Sequence, residues 1–204
     1  MASQVVSPAA QLVRAAEQGD TAAVLSLLKQ GAGVNGRDPQ GRTAVMAATR
    51  GNRVQTVRAL IQAGADINIR DNHSDNPFLY AGAEGLLEIL EMTIAAKADA
   101  KLTNRFGGTA LIPAAHHGHV EAVRALLERT RVDVNHVNNL GWTALIEAII
   151  LGDGGARHTE VVRLLVGAGA SVNLADAKGV TPLTHARQKG YERIVHILAK
   201  AGAR

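Results

Sequence analysis

The side chains able to do chemistry in this 204-residue chain crowd into its middle. His116, His117 and His119 stand almost side by side, with Glu121 just beyond them, and imidazoles with a carboxylate are the raw material of a metal site. Adjacent residues on a helix point about 100° apart, so the three rings are not expected to converge on one ion. Asp75, Tyr80, Glu84, Glu147, Asp153, Arg157 and His158 lie in the same stretch, and such a density of titratable groups could line a small-ligand or catalytic site. The segment Asp153-Gly154-Gly155-Ala156-Arg157, followed by His158, offers backbone amides and a guanidinium that could hold a carboxylate or phosphate. A simpler reading makes it a tolerated surface extension, which costs little closure entropy. Gly31-Ala32-Gly33-Val34-Asn35-Gly36 fits G-x-G-x-x-G, but a dinucleotide site needs a strand before that motif and a helix after it. G-x-S-x-G, P-loop and H-E-x-x-H patterns do not occur, so no catalytic residue, metal or cofactor is assigned.

The elements that must position these groups follow from self-similarity. A pattern of roughly 33 residues recurs about six times. Each copy opens with a capping residue, Ser7, Thr43, Asn76, Thr109, Thr143 or Thr181, whose side-chain oxygen can accept the free N–H groups of a first helix. Gly19, Asn52, Gly85, Gly118, Gly152 or Gly190 then closes that helix in a left-handed conformation. Apolar triplets mark a second helix at Val24/Leu27/Leu28, Val57/Leu60/Ile61, Val123/Leu126/Leu127, Val162/Leu165/Val166 and Val195/Leu198/Ala199. Gly-Ala steps at Gly31, Gly64 and Gly169 end it, and a short segment leads to a turn at Gly41, Gly107, Gly141 or Gly179. Helices this short are marginal alone and require burial against neighbouring copies.

Asp38-Pro39-Gln40-Gly41-Arg42-Thr43-Ala44-Val45 and Asp176-Ala177-Lys178-Gly179-Val180-Thr181-Pro182-Leu183 resemble the D-x-x-G-x-T-P-L opening of the ankyrin repeat. Gly118-His119-Val120-Glu121 is similar to its G-H-x-E step, and Gly64-Ala65-Asp66-Ile67-Asn68 to its G-A-D-V-N close. The resemblance covers nearly the whole chain. It implies an all-α ankyrin-repeat solenoid of about six helix-turn-helix repeats with β-turn fingers, in which helix pairs stack in a curve. The chain, 1-204, then reads as one domain, with repeats at 7-37 (N-terminal cap), 38-70, 71-103, 104-137, 138-175 and 176-204 (C-terminal cap). It also implies binding of other proteins through finger tips and a concave helix face, with no catalytic activity shared across the family.

The irregularities suggest which surface is used. The third copy puts Ser74, Asn76, Lys97 and Lys101 where its siblings carry Gly, Thr, Gly and Asn. Phe106 and Trp142 fall at finger positions that the repeat leaves to solvent, and aromatics on firm supports are typical interface anchors, whereas Phe78 sits at a core position. The expected contacts with a protein partner are Arg42 on the finger of the second copy, and His73, Asp75, Tyr80, Arg105, Phe106, His116, His117, Asn139, Trp142, Arg157 and His158 on the fingers and concave face of the third to fifth copies. Histidines there would make binding sensitive to pH near neutrality.

Bulk properties narrow the classes further. The composition is 47% hydrophobic with Tyr and Phe present twice each and Trp once, which suits closely stacked helices better than sheets. The formal charge of +4 is dispersed, with arginines mainly on the second helices, so nucleic acid is not the expected partner. No apolar run reaches the roughly 20 residues that span a bilayer, and the first residues lack a basic leader and apolar core. The expectation is a cytoplasmic monomer, or a periplasmic or secreted one if a leader has been removed. Cys is absent, which excludes disulfides and thiolate metal sites.

Overall fold

The computed structural model describes residues 7–204, and these form twelve helices. Among the described residues the extended pairing is confined to one antiparallel bridge, Arg37 with Thr43, at the base of a finger. The chain divides into two compact units. The first runs to Ala81 and includes Glu88–Asp99; the second comprises Gly82–Leu87 and Ala100–Arg204.

In the first unit α1 (Pro8–Gln18), α2 (Thr21–Lys29), α3 (Ala44–Arg50) and α4 (Val54–Gln62) alternate as first and second helices of two copies. Helix α5 (Pro77–Ala83) begins a third, and the division between units passes through it; α6 (Leu87–Ala95) completes that copy. Leu12, Met46, Leu60 and Phe78 are fully buried and form the core, so Phe78 is the interior residue its position suggested. The second unit holds α7 (Leu111–His116), α8 (Val120–Arg129), α9 (Ala144–Ile150), α10 (Ala156–Gly167), α11 (Pro182–Gln188) and α12 (Glu192–Lys200). Leu111, Leu126, Leu145, Ile146, Ile149 and Leu165 fill its interior.

The expected caps form at five of six starts. Ser7, Thr43, Asn76, Thr143 and Thr181 accept from Ala10, Met46, Leu79, Ile146 and Thr184 N–H groups. Thr109 does not, and its hydroxyl is buried without a partner. Pro113 is the cause. It has no N–H to give the Thr109 carbonyl, so Ile112 N–H turns to that carbonyl at 3.2 Å and the helix starts late.

Asn52 is left-handed as expected, at φ 50°, and Ser74 and Lys97 are left-handed as well, both at φ 63°, so the third copy keeps the backbone of its siblings at those two positions without glycine. Three further expectations need correction. Gly152 is not left-handed; within the fifth copy's longer connection that conformation passes to Gly154, at φ 68°. Ala156 and Arg157 belong to the first turn of α10, so the inserted residues lengthen a helix as well as a loop. In α12 Ile194 and Leu198 are buried while Ala199 is exposed.

Candidate partner-binding surface

Every finger is built around one carboxylate or amide. Asp71, Asn104, Asn138 and Asp176 each use Oδ1 to accept two amides across their turn: His73 and Asp75, Phe106 and Gly108, Leu140 and Trp142, Lys178 and Val180. A short polar side chain that closes its own turn explains Asp or Asn at this offset. Asp38 closes the first finger through the amide and Nε of Arg42. Within each unit neighbouring fingers are also tied: Asn72 N–H donates to Gln40 O, and Asn139 N–H to Phe106 O at 2.9 Å. The tips are therefore held by backbone bonds, and their side chains remain free to face solvent.

In the second unit the Asn104 and Asn138 fingers carry apolar tips, and the Asp176 finger carries Lys178 at the same position. Phe106 is 51% exposed and Leu140 is 52% exposed, and both occupy the third position of their turns. The Arg105 guanidinium lies 4.7 Å from the Phe106 ring centre, a cation–π contact that leaves the ring edge open. Asn139 is exposed beside Leu140. Trp142 is half-buried, contrary to its expected solvent position. Its indole walls a slot of about 440 Å3 with Leu140, Ile150, Val180, Lys178 and His185. Sequence reasoning missed Leu140. The signal was available, because it stands at the same offset from Asn138 as Phe106 does from Asn104.

The first unit's candidates divide. His73 is exposed at its tip, and Asp75 and Tyr80 are half-buried, with the Arg50 guanidinium 4.8 Å from the Tyr80 ring centre. Arg42 is already engaged: its Nε bonds Asp38 at 2.8 Å and its terminal nitrogens bond Glu17, which pushes its pKa up. Two carboxylates thus take up one N–H on each of its three nitrogens.

The titratable groups of the second unit separate into three places. His116 and His117 do not diverge as expected; their rings stack at 4.3 Å, with His119 5.7 Å beyond His117. His117 is exposed, while burial, then the charges of His117 and His158, pushes the His116 pKa down. Glu147 is buried and accepts from Asn138 Nδ2 at 2.8 Å; burial raises its pKa, and at 3.8 Å from His116 it makes no direct hydrogen bond to that ring.

His158 forms the second place. It is buried, with Nδ1 at 2.7 Å from Asp153 and Nε2 at 2.8 Å from the His116 carbonyl, so neither ring nitrogen is left for a ligand, which corrects its assignment as a contact residue. Asp153 also accepts from Gly155 N–H; that bond and His158 hold its pKa below the usual carboxylate range. The inserted segment is thus anchored at its start although most of it stays exposed, and Tyr191 OH fastens it further by donating to the Gly152 carbonyl at 2.7 Å.

Arg157 marks the third place, a cleft of about 480 Å3 that it shares with His119, Glu121 and Glu160. The His119 ring packs over Gly85, where an added Cβ would meet Nδ1 at 2.6 Å. Burial, followed by His117, lowers the His119 pKa. Among the described residues no three His, Asp or Glu side chains are grouped so as to hold a metal ion. Within the second unit the groups proposed for a catalytic groove are not brought together around one point.

The family follows from comparison with known proteins. The model of the ankyrin repeats, in three copies, matches residues 12–92 and 78–173. The chain is an ankyrin repeat protein. It is 43% identical over 194 residues to the ankyrin repeat protein YahD of Escherichia coli (strain K12), a match covering 95% of this chain and 96% of that one. An ankyrin repeat domain from Acinetobacter baumannii AYE, solved by crystallography, superposes with a TM-score of 0.92 at 54% identity, covering 95% of this chain and 98% of that one. The ankyrin repeat domain of human ASB11 gives 0.78 at 26% identity, covering 95% and 84%. The fold is an ankyrin-repeat solenoid, and ankyrin repeats generally mediate protein–protein interaction. No described helix is long and apolar enough to cross a membrane.

Proposed function

We propose that this ankyrin repeat protein is a non-enzymatic recognition module that grips a protein partner through the fingers of its second unit, with Arg105, Phe106, Asn139 and Leu140 in direct contact. The observation that carries this reading is the pair of half-exposed apolar side chains, Phe106 and Leu140, on tips joined by the Asn139–Phe106 backbone bond. Solvated turns ordinarily carry polar side chains. Apolar anchors on firm supports lose little conformational entropy when covered, which is what an interface centre requires. Exposed His117, just past the first helix of the fourth copy, extends the contact toward the helix face, and exposed His73 is the corresponding tip candidate of the first unit. The module acts as a cytosolic monomer in this reading.

A photo-crosslinking residue tests it. The variant Phe106→p-benzoylphenylalanine, expressed in the native host and irradiated, is expected to give a discrete adduct with another protein. The same residue at Arg163, exposed on α10, should give none. Adducts from position 163 with none from 106 would overturn the reading.

A further inference from the structure

The slot beside Leu140 carries a more specific message than the exposed tips do. Its walls are the Trp142 indole, Leu140, Ile150 and Val180, and its polar edge is formed by Asp176, Lys178 and His185. Asp176 is already spent. Its Oδ1 takes the amides of Lys178 and Val180, and its Oδ2 lies 2.8 Å from His185 Nε2. The Lys178 side chain is exposed and, among the described residues, makes no ion pair; the Trp142 indole N–H makes no hydrogen bond there either. An apolar concavity of this size holds more than one side chain, such as a large residue with the chain that flanks it. The lone unanswered charge at its edge is a cation, and it asks for a carboxylate.

The slot also continues into the tips. Leu140 belongs both to its wall and to the exposed surface, and the Asn139–Phe106 backbone bond places Phe106 on the adjoining finger, with Arg105 over its ring. A second cation, which among the described residues makes no ion pair, thus lies at the far end of the apolar path. A small molecule would fill the slot and leave the path uncovered, whereas an extended polypeptide covers both. We infer that the occupant is an extended peptide segment of the partner protein that buries a large apolar or aromatic side chain against Trp142 and sets acidic residues against Lys178 and Arg105. This inference rests on the partner-binding reading above and narrows the partner's chemistry.

The test uses the intact chain and a random twelve-residue peptide library displayed on phage. Because Trp142 is the chain's one tryptophan, its intrinsic fluorescence reports occupancy of the slot directly. Enrichment of peptides with a large apolar residue near Asp or Glu is expected, and the synthetic forms should shift Trp142 emission. Lys178→Glu, at an exposed position, should weaken them by about tenfold or more while leaving the circular dichroism spectrum unchanged. Enrichment of neutral or basic peptides, no enrichment, or binding indifferent to Lys178→Glu would overturn the inference. So would a single-stranded RNA oligonucleotide that moves the Trp142 signal where the peptides do not. Peptides whose binding is lost in Phe106→Ala but which leave Trp142 silent would sink the slot alone. A missing adduct at position 106 would sink the parent reading.

Discussion

Replacing capping threonines by valine, which keeps shape and removes the hydroxyl, should split the copies by sign. Thr43 and Thr143 each accept a buried N–H, from Met46 at 3.3 Å and Ile146 at 3.2 Å. Thr143→Val strips that acceptor and strands a donor away from water, a loss of about 1 kcal/mol that can reach about 2. Thr109 occupies the same repeat position and is equally buried, but its hydroxyl has no partner. Thr109→Val therefore breaks no hydrogen bond and relieves a desolvated polar atom, a gain of about 0.5–2 kcal/mol. The two variants, in the same unit, should differ by about 2 kcal/mol. At about 2–4 °C per kcal/mol for a chain of this size, their melting midpoints should lie roughly 4–8 °C apart, with wild type between them. Thermal and urea denaturation followed by circular dichroism measure this. If Thr109→Val falls as far as Thr143→Val, the attribution of the late helix start to Pro113 is wrong.

Three other substitutions follow from particular geometries. Lys97→Gly should stabilise by about 0.5–1 kcal/mol, because a side chain at φ 63° carries a left-handed penalty that glycine lacks; a lower urea midpoint would contradict it. Gly152→Ala should cost about 2 kcal/mol or more, since its Cβ would sit 2.2 Å from the Ala148 carbonyl and against His158, and melting near wild type would refute that close approach. Burial raises the folded-state pKa of Glu147, so its contribution to stability is present below the ordinary carboxylate value and lost as pH rises through the folded one. Glu147→Gln should match wild type in urea midpoint at pH 4 and exceed it at pH 8; a deficit at pH 8 would reverse the assigned cause. His116 and His119 are shifted down, so their contribution holds above the ordinary imidazole value and is lost as pH falls through the folded one. The midpoint should drop on acidification below about pH 6.5, and double replacement by Gln should flatten that limb.

What could be read from the sequence was what repeats. Capping residues, closing glycines and the Asp or Asn that folds each finger recur at fixed offsets, and local hydrogen bonds satisfy them. The late start at Thr109 was also legible, since Pro113 stands where its carbonyl needs a donor. Contacts between distant copies were not legible. Arg42 is consumed by Glu17, 25 positions away, and His158 by the His116 carbonyl, 42 positions away; each had the chemistry of a contact residue until its partner was placed beside it. Trp142 fails for a related reason, because whether a finger aromatic faces solvent or walls a slot depends on Val180 and Lys178 of the next copy. Leu140 was hidden by its type, since one leucine in a turn draws less notice than an aromatic at the same offset.

The central claim, that the second unit's finger tips are the gripping surface, is tested most directly by quantitative capture from the native host with the intact chain and with Phe106→Ala/Leu140→Ala. Both side chains are about half exposed, so their removal leaves the core intact, and the melting midpoint should move little. Losing two apolar anchors from an interface removes on the order of 1–3 kcal/mol, roughly a fivefold to hundredfold loss in the recovered partner. Undiminished recovery of the same partner by the double variant would contradict the account.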